Sequence, residues 1–265
     1  MRDVRWVEEI LNNRVSGATA LIAKALQGLL KTFRESGKEE ASAALRRLLE
    51  AHSGIPSWWV VLKEAEGCLK GCEPGSGLES LRKNIEKSTR RAAEKAAEGI
   101  EGLRSMVTLS SSSVVEEALK IASPPEIYVM ESRPLGEGAG MAGRLMKAGI
   151  NVRVVVDSAP GELIREGVIE AALVGADALF EDYLVNKVGT LPLAVLCSHF
   201  ERPFFVVAQW FKNIKMKYEE FYGPGKFPEP PGGFKDPREI NVTLPSLNFY
   251  FDLTPRALIN TIYKG

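Results

Sequence analysis

Two kinds of spacing divide the chain. Over residues 4–104 the apolar positions of VEEILNNRV, ALIAKALQGLLKTF and ASAALRRLLEAH recur at three- and four-residue intervals, which is the spacing of helices that turn one face to a core. Breaks fall at Gly37, between Gly54 and Pro56, and across GCEPGSG at 71–77, because Gly and Pro end helices and open turns. The last break introduces a long helix expected over 78–103. Its outward face carries Arg82, Lys83, Glu86, Lys87, Arg90, Arg91, Glu94 and Lys95, and reads as a solvated surface laced with ion pairs.

From Ser105 the pattern changes. The short β-branched runs SMVTL, EIYVM, VRVVV, EAALVG and FFVVA alternate with helical stretches, and that alternation requires crossover connections and a parallel sheet. A sheet of about five strands or slightly more is expected. The fold class is α/β, with an N-terminal helical domain over 1–104 followed by a Rossmann-like parallel-sheet domain over 105–265. Residues 221–247 depart from both patterns, since their prolines and glycines exclude a helix or a long strand. Phe221, Tyr222, Phe227 and Phe234 make this a packed surface loop. Beyond it, Thr254 is placed to cap a final helix with Pro255 in its first position.

Composition narrows the function classes. The 34 basic residues balance the 34 acidic ones, so no global field draws the protein to nucleic acid or to an anionic membrane, and any anion site must be local. No apolar run approaches the roughly 18 residues of a membrane span, and MRDVRWVEEI is charged where a signal peptide would be apolar; the expected location is the cytoplasm. Cys68, Cys72, His52 and His199 lack metal-ligand spacing, so no metal is expected. Cys68 and Cys72, one helical turn apart, are expected as free thiols. Gln27 and Gln209 are the only glutamines among many charged residues, which leans toward a thermophile.

In an open parallel sheet the ligand crevice lies beyond the carboxyl ends of the strands, where Glu131, Arg133, Asp157 and Asp177 are expected to gather. The turn TLSSSSVVEEALK places Ser110, Ser111, Ser112 and Ser113 between a strand and a helix. There, free N–H groups and hydroxyls suit a phosphate or carboxylate, or one serine simply caps the helix. Arg133, stiffened by the following proline, can offer a planar fork to a phosphate. Asp177 follows four apolar residues and should stand at the crevice floor, able to exchange a proton if burial raises its pKa. Asn186 and Lys187 return to the same side if FEDYL makes a tight excursion, and Lys212 adds a positive charge at another strand end. Gly138, Gly140 and Gly143 match the glycine spacing of a dinucleotide site, with Asp157 ending the next strand. Seven residues, ESRPLGE, separate them from the strand, so the glycines are read as close-packing positions of a helix and no cofactor is expected.

Taken together, ESRPLGEGAGMAGRLMKAGI, VVDSA, VGADALFEDYLVNKVGTLPLAVL and NFYFDLTP resemble, in order and spacing, the signature shared by the alpha, beta and delta regulatory subunits of translation initiation factor 2B. The same superfamily includes methylthioribose-1-phosphate isomerase and ribose-1,5-bisphosphate isomerase. The likeness spans 105–263, and the helical half more faintly through RVSGATALIAKAL. It implies a helical domain on a Rossmann-like one and dimers formed mainly through the latter. In the isomerases a cysteine and the aspartate of a Gly-Ala-Asp motif shuttle protons on a ring-opened sugar phosphate; the resemblance puts the aspartate at Asp177 and the cysteine position at Ser110. A hydroxyl is far less acidic than a thiol, so proton transfer is impaired while phosphate binding need not be. The Arg-Gly-Ala motif that holds phosphate in the isomerases reads Arg14-Val-Ser-Gly17-Ala18 here, with the arginine displaced. Tyr183 stands where relatives carry glycine and is expected to crowd the crevice mouth, and the chain ends at IYKG where relatives continue with a Thr-Glu segment.

These departures favour a noncatalytic, archaeal-type regulatory homologue. It would bind a phosphorylated sugar or nucleoside monophosphate through Arg14, Gly17, Ser111, Ser112, Ser113, Arg133, Asn186, Lys187 and Lys212. Its expected partners are the alpha subunit of initiation factor 2 and a second copy of itself, with a hexamer left open. The alternative is an aldose–ketose isomerase acting on a phosphorylated pentose, with Asp177 as acid and base and Ser110 or a water in place of the thiol.

Overall fold

The computed structural model describes residues 5–13, 17–51, 56–223, 233 and 235–265. Five helices come first: α1 (Arg5–Leu11), α2 (Ala18–Ser36), α3 (Lys38–Ala51), α4 (Pro56–Lys70) and α5 (Pro74–Gly99). Leu26 and Leu29 of α2, Leu45 and Leu48 of α3, Trp58 and Leu62 of α4, and Leu78 and Ile85 of α5 form their core. Each large apolar side chain withdrawn from water contributes about 1.5–3 kcal/mol, so the helical spacing of these positions dictates which faces meet. The polar face of α5 carries the expected ion pairs: Arg82 binds Glu79 at 2.6 Å and Glu86 at 2.5 Å, and Arg90 binds Glu94 at 2.8 Å. The second half of α5 changes partners. Its Ala92, Ala93 and Ala96 present a small-residue surface to the α/β core, so one helix enters both cores.

The chain then alternates: β1 (Ser105–Thr108), α6 (Ser113–Ala122), β2 (Glu126–Met130), α7 (Glu137–Lys147), β3 (Val152–Val155), α8 (Pro160–Arg165), β4 (Ala171–Val174), β5 (Ala178–Leu179), β6 (Tyr183–Lys187), α9 (Thr190–His199), β7 (Phe204–Ala208), α10 (Tyr218–Tyr222), β8 (Phe251–Pro255) and β9 (Thr261–Lys264). Six strands form a sheet in the order β3-β2-β1-β4-β7-β9, parallel throughout. Its central strands are buried on both faces, which is why they read as unbroken apolar runs. The order reverses beside β1, where β2 lies on one side and β4 on the other, and ligand crevices open at such a switch point.

Three expectations change. The final helix does not form: Thr254 is buried in β8, opposite Leu184 of β6, and after a 3-10 turn at Arg256–Leu258 the chain adds β9 beside β7. Thr261, Ile262 and Tyr263 are β-branched or aromatic, and an open sheet edge accommodates them better than a helix does. A second, antiparallel sheet, β5-β6-β8, turns the FEDYL excursion into a hairpin. Among its described residues the loop packs at its start, where Phe221 meets Phe180 edge-on and Tyr222 lies tilted against it, while Val242, Leu244 and Leu247 are exposed; Phe227 and Phe234 lie outside the described residues. Cys68, Cys72 and Cys197 are free thiols. Among the described residues no helix is long and apolar enough to cross a membrane, and no cluster of His, Cys, Asp or Glu could hold a metal.

Candidate functional site

A cavity of about 440 Å³ opens at the carboxyl ends of β1 and β4, at the switch point. Its wall brings together Gly17, Ser110, Ser111, Ser112, Ser113, Asp177, Asn186 and Lys212 from the sequence expectation. Thr19, Glu116, Glu137 and Arg144, which the sequence reading missed, join them, as does Gly140, which it took for a close-packing position. Arg133 does not contribute to the wall. It is exposed, and its backbone N–H donates to Asp157 Oδ2 at 2.7 Å while that of Ser132 donates to Oδ1 at 2.8 Å, so Asp157 clamps the turn after β2. Arg14 lies outside the described residues. Tyr183 does not crowd the mouth; its ring packs edge-on against Tyr218, away from the wall.

Ser110 leaves β1 in the left-handed region, φ 66°, as does Ser132 on the neighbouring turn. Side chains occupy that region at a cost, and such strain gathers at functional turns. The Ser110 N–H donates to Ser132 Oγ at 2.7 Å, and Ser110 Oγ donates to Glu137 Oε1 at 3.1 Å. The same oxygen pairs with Lys187 Nζ at 2.8 Å, both side chains being buried. Lys187 is thus spent on Glu137 and does not line the cavity. Asn186 is partly spent as well, its Nδ2 donating to Thr190 Oγ1 at 3.0 Å.

Ser112 is the N-cap of α6, yet its hydroxyl makes no capping bond. The side chain instead packs over Gly175, where an added Cβ would stand 2.6 Å from Ser112 Oγ. Gly17 makes a similar close approach, 2.9 Å from its would-be Cβ to the Ser111 carbonyl oxygen. The start of α6 and Ser111, Ser112 and Ser113 border the cavity, while the Ser110 hydroxyl is engaged by Glu137.

Asp177 and Lys212 face the floor. Burial lifts the Asp177 carboxyl above its ordinary range, against the charges of Lys212 and Lys187 and with help from Glu137. Burial lowers Lys212, and Asp177 partly restores it. On the opposite wall burial alone would raise Glu116, but hydrogen bonds from Lys120 and Arg144 outweigh it and hold the carboxyl below its usual range. Glu137, Gly140 and Arg144 stand at i, i+3 and i+7 on α7, a helical face that turns toward the cavity. That spacing was the available signal for Arg144.

Asp252, opposite Asn186 on β8, holds the start of α9. Its Oδ2 accepts the N–H groups of Gly189 at 2.9 Å and Leu191 at 3.1 Å. Burial nevertheless pushes its carboxyl up from 3.8 to about 6. With the folded pKa above the unfolded one, the native state binds a proton more readily, so this group's contribution worsens as pH rises from about 4 to about 6 and stays unfavourable above. At about 1.36 kcal/mol per unit the penalty is about 3 kcal/mol. The difference in unfolding free energy between Asp252→Asn and the parent should therefore change by that order between pH 4 and 7; a constant difference would show that Asp252 is not the titrating group.

The Initiation factor 2 subunit family matches residues 75–263. The chain is 31% identical over 224 residues to a Pyrococcus abyssi protein named translation initiation factor eIF-2B subunit 2-like, covering 78% of this chain and 79% of that one. It is 29% identical over 287 aligned positions to methylthioribose-1-phosphate isomerase of Bacillus licheniformis, covering 94% and 79%. Among solved structures, translation initiation factor eIF-2B of Pyrococcus horikoshii superposes with a TM-score of 0.83 at 23% identity, covering 98% of this chain and 94% of that chain. The tetrameric eIF2B-beta2-delta2 complex of C. thermophilum superposes with 0.70 at 16%, covering 98% and 87%.

Proposed function

Because this chain belongs to the Initiation factor 2 subunit family, we propose that it is a noncatalytic eIF-2B-like regulatory subunit that keeps a binding cavity for a phosphorylated sugar or nucleoside monophosphate. The observation that carries this reading is the state of Ser110. By the resemblance, it stands where the isomerases place a proton-shuttling thiol; here a hydroxyl occupies the position and donates to Glu137, which Lys187 already holds. A serine hydroxyl so engaged is a poor acid or base at neutral pH. Lys212, the α6 start and the hydroxyls of Ser111, Ser112 and Ser113 still supply what an anion needs. The partners proposed with this reading are a second copy of the chain and the alpha subunit of initiation factor 2, in the cytoplasm.

Incubation of the purified protein with ribose 1,5-bisphosphate and with methylthioribose 1-phosphate should give no ketose product at enzymatic rates. Turnover of about 1 per second or faster would end the noncatalytic reading. One observation favours the isomerase alternative: Asp177 lines the cavity with its carboxyl lifted by burial, as a group that both takes and gives a proton must be.

A further inference from the structure

We propose that Arg144 anchors the anionic group of the ligand in this cavity. The inference rests on the cavity being a ligand site and names the residue that makes it selective for an anion. Arg144 reaches the cavity from the last turn of α7, with its guanidinium fixed on two sides: Nε donates to Glu116 Oε2 at 2.8 Å and Nη2 to Ser111 Oγ at 2.8 Å. The third nitrogen, Nη1, has no hydrogen-bond partner among the described residues. It lies 3.6 Å from where a Cβ on Gly140 would stand, an ordinary contact distance. The planar fork is therefore oriented in advance and keeps donors in reserve, which suits a phosphate better than a mobile lysine does.

The surrounding charge has the right sign. Glu116 is shared by Arg144 and by Lys120, 2.6 Å away, so two cations meet one carboxylate and one positive charge is left over. That charge sits beside the ten-residue helix α6, whose N-terminal partial charge has the same sign and whose N-cap hydroxyl is not committed. Because Ser111 accepts from Arg144, its own proton is free to donate. Two independent observations point to a ligand in the same cavity. Lys212 is only 4% exposed, and its ammonium, whose charge Asp177 partly balances, makes no side-chain hydrogen bond among the described residues; among the same residues the buried Glu137 Oε2 has no hydrogen-bond partner. Polar atoms withdrawn from water in this way await a partner, a cation for an anion and a carboxylate oxygen for a hydroxyl. Arg133 offers none of this.

The test is calorimetric titration with ribose 5-phosphate and with ribose as the uncharged control. The parent should bind the phosphate ester and not ribose. Arg144→Gln should weaken binding at least tenfold, Arg144→Lys should recover part of it, and Arg133→Gln should bind as the parent does. Circular dichroism reports folding; if Arg144→Gln does not fold, Arg144→Lys carries the test with an expected loss of at least threefold. Parent-like affinity in a folded Arg144→Gln protein would overturn the assignment and leave the cavity's binding role standing. Failure of the parent to bind ribose 5-phosphate, ribose 1,5-bisphosphate or adenosine 5'-monophosphate would remove the binding role and this assignment with it.

Discussion

Replacing Lys187 by Met is expected to lower the unfolding free energy by about 3–5 kcal/mol, seen as a fall in the denaturant midpoint with little change in slope. Lys187 and Glu137 side chains are 5% and 9% exposed and pair at 2.8 Å. Met fills nearly the volume of the lysine stem, so the loss reports charge rather than a cavity. The remaining carboxylate would keep one hydroxyl, that of Ser110 at 3.1 Å, while its other oxygen already lacks a partner. The ammonium also lies 5.1 Å from the Tyr250 ring, an attraction of about 0.5–2 kcal/mol that a thioether does not reproduce. Removing both charges, with Glu137→Gln and Lys187→Met together, should recover most of the loss, because the cost lies in stranding a buried ion rather than in losing the pair. A single variant within about 1 kcal/mol of the parent, or a double variant no better than the single, would contradict this account.

The strands β1 to β4 and β7 were legible because each is a short apolar run bounded by a turn, and the crevice was placed by the rule that a parallel sheet binds beyond the carboxyl ends of its strands. What local patterns could not show was decided by distant parts of the chain. Thr254-Pro255 satisfies every local rule for a helix start, yet β6 and β7 both present open edges, and pairing with them takes the terminal residues into strands. β5 has two residues and is defined by its pairing with β6 and by a bridge from Leu179 to Asn213. Among the site residues, Arg133 drew notice by standing in the turn after a strand with a stiffening proline behind it. Arg144 reaches the cavity only through the packing of α7 beside α6, and its carboxylate partner is 28 residues away in sequence. Lys187 was expected in the crevice and is instead engaged by Glu137, which arrives from another crossover and which no local pattern could announce.

Gly138→Ala is expected to cost about 3 kcal/mol or more, while Gly143→Ala should stabilise the protein by about 0.5–1 kcal/mol. Both glycines lie in α7 with ordinary helical backbones, so neither is there for its conformational freedom. At Gly138 an added Cβ would overlap the Met130 carbonyl oxygen and stand 3.0 Å from Ser132 Oγ and 3.1 Å from the Glu131 carbonyl oxygen. Backbone cannot yield as a side-chain tip can, and the turn it would have to push is clamped by Asp157. The helix must lift off β2, moving Glu137 and Arg144 with it, so ligand affinity should fall together with stability. At Gly143 nothing lies within 4 Å, and alanine only removes freedom from the unfolded chain and improves helix propensity. Thermal or denaturant unfolding of the two variants measures both signs at once. A neutral Gly138→Ala would mean that α7 does not rest on β2 as closely as described. Opposite signs within one glycine motif would mark the spacing as a device for seating a helix on a strand end, since a dinucleotide turn would need the glycines in the loop and not one turn inside the helix.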